Sequence, residues 1–280
     1  MALDPHLSPA FDFISNVEAA YAGLIQATVR ANAEAAGGDP SSGREPTLGG
    51  NLLYAGELDG AGRVLVVAGN IAGAASLCAS ADPAIQKQAV RDGVVDFLVT
   101  SLDEALRILK NEIRKRETVA VCVGAEPAAV EREMLERGVA PDLLRPTATS
   151  GAFTGSGRPN QKDRPIQVAS IEAPGWLTWT VALGPARWLP RLDAIALDCL
   201  GTNALAARRW LHRAPRYLGR LAHGLHLLRC DRQCAVAFTA KVREQVACGE
   251  IGVPVEIRSS YRGTDEEQHV PPPETPVRAS

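Results

Sequence analysis

The stretch that decides the fold reads RVLVVAGNIAGAASLCASADPAIQKQAVRDGVVDFLVT over residues 63–100 and SLDEALRILKNEIRKRETVAVCVGAEPAAVEREMLERGVAPDLL over 101–144. Its apolar period changes repeatedly. The spacing predicts a strand at Val64–Ala68, a helix from about Gly73 to Arg91, a strand at Val94–Thr100 and a helix at Leu102–Lys115. A strand at Thr118–Gly124, a helix at Ala128–Glu136 and a strand at Asp142–Leu144 follow. Ser101-Leu-Asp-Glu104 is a capping box at the start of one of these helices, and Gly138 ends the next in the left-handed position. Such alternation implies parallel strands joined by right-handed crossovers, with helices on both faces of an α/β sheet.

Outward from that core, residues 1–50 are expected to form an N-terminal helix and linker. Ile14, Val17, Tyr21, Leu24, Ile25 and Thr28 or Val29 share one stripe of a helix from Phe11 to about Ala36. Residues 37–50 are dense in turn formers. Residues 51–164 would form the α/β domain, opening with short apolar runs at Leu52–Glu57 and Arg63–Gly69 around a turn at Asp59–Gly62. Its last segment, 147–164, is a Gly- and Thr-rich loop. Residues 165–264 read as a strand and a mainly helical flanking region with a final strand at Val253–Ile257. The Pro-rich tail 265–280 reads as disordered.

Composition narrows the function classes. In 280 residues, 46% are hydrophobic, and 30 basic against 32 acidic side chains leave a formal charge of −2. That balance gives no push towards nucleic acid or acidic membranes. No apolar run approaches the roughly 18 residues of a membrane span, and the N-terminus lacks a signal-peptide pattern. The expected location is cytoplasmic. Six cysteines without a CxxC pair fit reduced, buried thiols.

Candidate ligand residues cluster at turns. Gly69, Asn70, Gly73, Ala74 and Ser76 lie where a buried strand is expected to open a helix, so that an anion could approach backbone amides; close packing of helix on strand explains the same small residues. Thr100, Ser101 and Asp103 follow the next strand, with Asp103 placed either to bind ribose hydroxyls or simply to favour a helix dipole. Gly124 and Ala125 follow the third strand, and Thr147, Thr149 and Ser150 follow the fourth. Together these would form a crevice for a small-molecule ligand.

Two further groups carry weaker signals. His223, His226, Cys230 and Cys234 are read on one helix face, which does not close a tetrahedral metal site, so no metal is expected. Nine arginines between Arg187 and Arg232, interleaved with Trp188, Trp210 and Tyr217, read as cations stacked on their own subdomain's aromatics. Arg208, Arg209, Arg213, Arg216 and Arg220 would carry a nucleic-acid surface in the lesser alternative.

In shared order, several segments resemble the urocanase (urocanate hydratase) family. They are Gly69–Ser76 for its glycine-rich turn, Leu102-Asp-Glu-Ala-Leu106, Gly124-Ala-Glu-Pro-Ala128, Arg137-Gly-Val-Ala-Pro-Asp142, Gly184-Pro-Ala-Arg-Trp188 and Phe238–Ile257. The chain thus looks like a shortened, divergent member. The resemblance implies a Rossmann-like domain binding NAD⁺, with Gly69, Gly73, Ala74, Ser76, Gly124 and Ala125 lining it. It also implies a hydro-lyase activity in histidine degradation, in which NAD⁺ acts as an electrophile towards urocanate. Departures accompany it. The family's acidic, histidine-bearing loop reads Arg145-Pro-Thr-Ala-Thr-Ser150, and its substrate segment reads Arg258-Ser-Ser-Tyr-Arg262. Without those groups no general acid or base is identified, and catalytic residues stay unassigned. A non-catalytic small-ligand or subunit-interaction protein derived from that family is the alternative. The N-terminal helix and the tryptophans beyond Gly175 lead to the expectation of a homodimer.

Overall fold

A computed structural model describes residues 8–36, 45–145, 166–167, 175–261 and 264–271. Two compact units emerge: Asn16–Ile171, and Met1–Ser15 with Glu172–Ser280. The first helix, α1 (Ser8–Ala36), contributes to both. Its expected stripe is buried within this chain, with Ile14, Val17, Tyr21, Leu24, Ile25 and Thr28 all sheltered from solvent. Trp179, Trp188 and Trp210 are buried as well, while Trp176 is half-buried.

The Asn16–Ile171 unit is the α/β core. It runs β1 (Leu52–Glu57), α2 (Gly60–Ala72), β2 (Ala75–Ala79), α3 (Pro83–Arg91), β3 (Phe97–Val99), α4 (Leu102–Lys115), β4 (Val119–Val123), α5 (Pro127–Glu136), β5 (Leu143–Leu144) and β6 (Ile166–Gln167). All strand pairs are parallel, in the order β3-β4-β2-β1-β5-β6. This is a Rossmann-like α/β sheet. Alternation along the strands sorts the core. Leu52, Tyr54, Leu77, Val121 and Leu144 pack with Leu102, Leu106 and Leu109 of α4 and with Val130 and Met134 of α5. Leu53 and Ser76, one residue out of phase, face α2.

One pair of elements departs from the expected reading. Val64–Ala68 lies inside α2, not in a strand, and Ala75–Ala79, read as part of a helix, is central strand β2. A short apolar run has no period that separates a buried strand from a buried helix. Leu65, Val66, Val67, Ala68, Ile71 and Ala72 are all buried, so α2 has almost no polar face to betray it. Its ends are nevertheless defined: the Asp59 side chain caps the start by accepting from the Gly62 amide, and Gly73 at φ 97° ends it. Asp82 and Pro83 then start α3 as N-cap and first helical residue.

The flanking unit differs from the mainly helical expectation. It holds β7 (Gly175–Thr180), α6 (Pro185–Cys199), α7 (Leu205–Leu218), a 3-10 turn (Gly219–Ala222), β8 (Leu225–Leu228), α8 (Arg232–Ala247), β9 (Val255–Tyr261) and β10 (Thr264–Val270). The four strands make an antiparallel sheet in the order β10-β9-β7-β8. β10 occupies the segment from Asp265 that reads as a disordered tail; Arg258 pairing with Glu267, and Arg232 with Glu266, tie its charged side chains down. Among the described residues no helix is long and apolar enough to cross a membrane.

Candidate functional site

In an open parallel sheet, ligands bind beyond the carboxyl ends of the strands, where two neighbouring strands send their connections in opposite directions. Here those neighbours are β1, which continues through α2 to β2, and β5, which leads on to β6. The turn leaving β1 is Gly56-Glu-Leu-Asp-Gly-Ala-Gly62. Gly56 at φ 72° carries a β-bulge, since Tyr54 pairs with Leu77 and Gly56 with Cys78, leaving Ala55 extra. Gly62 lets the helix start hard against the strand. A Cβ there would lie 1.9 Å from the Glu57 carbonyl oxygen, so no other residue fits.

Across this switch point stands an ion pair. Asp59 accepts from Arg145 at 2.8 and 3.0 Å, and its Oδ1 also accepts the Gly62 amide at 2.6 Å. Burial pushes the Asp59 carboxyl up, but the Arg145 guanidinium and the Gly62 and Ala61 amides outweigh it and hold the group below the usual carboxylate range. The helix N-terminus is therefore already answered by the chain's own carboxylate, and Arg145 balances that charge.

The adjoining strand ends complete the edge. After β2, the buried Ser80 hydroxyl accepts the Asp82 amide at 3.3 Å, and Asp82 caps α3 through Ala84 at 2.7 Å. After β4, the Gly124 amide donates to Val99 at 2.8 Å, and a Cβ on Gly124 would meet that carbonyl oxygen at 3.4 Å. After β3, Ser101 accepts the Glu104 amide at 3.3 Å while Glu104 accepts the Thr100 amide at 3.4 Å, the reciprocal box that its sequence predicts.

The structure divides the expected ligand residues between two edges. Thr100, Ser101, Gly124 and Ala125 lie at carboxyl ends of strands. Asp103 pairs with Arg137 beyond the end of α5, and that hydrogen bond holds its carboxyl below the usual range. Thr147, Thr149 and Ser150 lie outside the described residues. Gly69, Asn70, Gly73, Ala74 and Ser76 sit at the opposite edge, where α2 ends and β2 begins. The amides of Gly73 and Ala74 donate to the Gly69 carbonyl, as at a helix C-terminus, so they offer no anion site. A Cβ on Gly69 would come within 2.5 Å of Leu53 and 2.9 Å of Ser76. Close packing of helix on strand accounts for these small residues.

Residues that the sequence reading passes over now form the edge: Gly56, Asp59, Gly62, Asp82 and Arg145. Asp59-Gly-Ala-Gly62, an N-cap followed by small residues, and Asp82-Pro83, a cap followed by proline, were available as signals. Asp82 also stands roughly 20 residues beyond Gly62, the usual distance of a ribose-binding acid from its glycine turn.

Other sequence groups separate in space. His223 follows the 3-10 turn at φ 47°, His226 lies in β8, Cys230 precedes α8 and Cys234 lies within it, so no common helix carries them. Arg187 and Arg191 stack on Trp188 at 4.7 and 5.3 Å, and Arg216 stacks on Tyr217 at 5.4 Å. Arg208 donates to the Leu197 carbonyl at 2.9 Å. Tyr54 is buried inside β1 and donates to Glu131 at 3.2 Å, away from the carboxyl edge.

Residues 21–155, which span the parallel sheet from β1 to β5, match the family model described as the urocanase Rossmann-like domain. These residues thus form a Rossmann-like domain of the urocanase type.

Proposed function

We propose that the Rossmann-like unit binds NAD⁺ at the carboxyl edge of its sheet. The observation that carries this reading is Gly62, the position from which a helix leaves a central strand with no room for a side chain, beside the β1/β5 switch point. The residues fit the dinucleotide in part. The Gly60–Gly62 turn brings backbone amides to the edge, Arg145 supplies a cation for phosphate oxygens, and Asp82 stands where ribose hydroxyls would lie. Asp59 opposes a phosphate, so its carboxylate must swing from the Gly62 amide when the ligand enters.

In urocanase-type chemistry bound NAD⁺ supplies an electrophilic nicotinamide ring. Among the described residues no side chains complete a hydration site. Arg145–Ser150 and Arg258–Arg262 contain no carboxylate and no histidine. The reading is thus a urocanase-family NAD⁺-binding protein without urocanate hydratase activity. Mass spectrometry of small molecules released from protein purified without added ligand tests it. NAD⁺ near one per chain is expected, with no loss of urocanate absorbance on assay. No nucleotide, together with no thermal shift on adding NAD⁺, would overturn the cofactor reading; urocanate turnover would overturn the second half.

A further inference from the structure

The flanking unit brings two thiols together at the start of α8, outside anything the NAD⁺ reading uses. Cys230 directly precedes Asp231, the N-cap of that helix. Cys234 stands in its first turn, where its amide donates to Asp231 at 2.7 Å. A side chain just before an N-cap commonly folds back over the helix start, and here the two thiols are in hydrogen-bond contact. Cys230 is half-buried, whereas Cys234 is buried.

A third group meets the pair. The hydroxyl of Tyr261, at the end of β9, lies 3.3 Å from Cys230 Sγ. Gly175 pairs with Tyr261 across β7 and β9, and a Cβ on that glycine would come within 2.2 Å of the tyrosine ring, so the missing side chain is what lets the ring lie there. Hydrogen bonds from the Cys234 thiol and the Tyr261 hydroxyl outweigh burial and hold the Cys230 thiol below its ordinary value. The contact with Cys230, together with burial, pushes Cys234 up. Cys248, by contrast, is exposed and donates to the Gln245 carbonyl at 3.4 Å.

We propose that Cys230 and Cys234 form a peroxide-reactive dithiol that closes to a disulfide. Cys230, having lost its proton, attacks one oxygen of hydrogen peroxide; the O–O bond breaks, and the departing hydroxide takes up that proton as water. The Cys234 sulfur then attacks the sulfenic acid on Cys230, the S–O bond breaks, and a second water carries away the Cys234 proton. Two thiols and one hydrogen peroxide thus give one disulfide and two waters. A disulfide needs Cβ atoms roughly 3.5–4.5 Å apart, a span that thiols already in contact can meet by side-chain rotation.

The test is treatment of the reduced full chain with hydrogen peroxide, blocking of the remaining thiols by alkylation, and peptide mass spectrometry. Trypsin cleaves after Arg229, Arg232 and Lys241, so the disulfide would join Cys230–Arg232 to Gln233–Lys241. That linked pair should appear before the exposed Cys248 is oxidised, with two of the six thiols lost. Cys234→Ser should stop at a sulfenic acid on Cys230, which dimedone traps. Tyr261→Phe should raise the pH at which Cys230 is half-alkylated by iodoacetamide while leaving its rate at high pH unchanged. Should either variant fail to fold, the wild-type map alone decides. Oxidation of Cys248 ahead of Cys230, or loss of thiols without the linked pair, overturns the proposal. Because the NAD⁺ reading concerns the other unit, its failure would leave this result unchanged.

Discussion

Two glycine-bearing turns lie one helix apart in this chain, and they end at opposite edges of the same sheet. Gly56–Gly62 leads from β1 into α2; Gly69–Ala75 leads from α2 into β2. Both contain small residues required by close approach, yet only the first sits where an α/β sheet binds ligands. In the first, amides open a helix and meet a carboxylate. In the second, amides close a helix and donate to its last carbonyls. Composition alone does not tell a ligand turn from a packing turn; the direction of the chain relative to the sheet does.

Substitutions at the two turns can break this comparison. Gly62→Ala should be the most damaging, because its Cβ would meet backbone, the Glu57 carbonyl oxygen, at 1.9 Å. A loss of about 3 kcal/mol or more in denaturant unfolding is expected. Gly69→Ala meets side-chain atoms of Leu53 and Ser76 at 2.5 and 2.9 Å, which can shift a little. It should cost about 2 kcal/mol and leave NAD⁺ affinity unchanged. A large affinity loss in Gly69→Ala, with stability intact, would return the ligand to the α2–β2 turn.

Arg145→Ala tests the charge balance at the first turn. With Asp59 no longer answered, calorimetry should show NAD⁺ binding roughly tenfold weaker, about 1.4 kcal/mol. Asp59→Asn should have the smallest effect on stability, and its size depends on pH. Since the folded-state carboxyl titrates below its ordinary value, its stabilisation is present above about pH 4 and is lost as pH falls through the folded value. The stability gap between wild type and Asp59→Asn should therefore shrink on acidification from pH 5. The gap for Gly69→Ala should show no such dependence, as nothing titratable changes there.

Much of the α/β core was legible in the sequence. α4, β4 and α5 follow amphipathic or β-branched patterns with visible caps, and they lie within a residue or two of their expected bounds. α2 and β2 were not legible, since burial on all sides erases the polar face that gives a helix its period. That one exchange put the expected ligand turn at the amino edge of the sheet. The antiparallel sheet was missed for a related reason. Gly175–Thr180 and Leu225–Leu228 are short and sit between strongly helical segments, and β10 is made of charged residues whose pairing with β9 lies outside any local pattern.

The central claim is that the carboxyl-edge turn binds the dinucleotide and the amino-edge turn packs the core. Hydrogen exchange with and without NAD⁺, resolved to peptides over Gly56–Arg63 and Gly69–Ala75, tests it most directly. The account predicts slower exchange on NAD⁺ addition at Gly60–Gly62, with Gly69–Ala75 unchanged. Protection confined to Gly69–Ala75, or none in either turn at saturating NAD⁺, would contradict it.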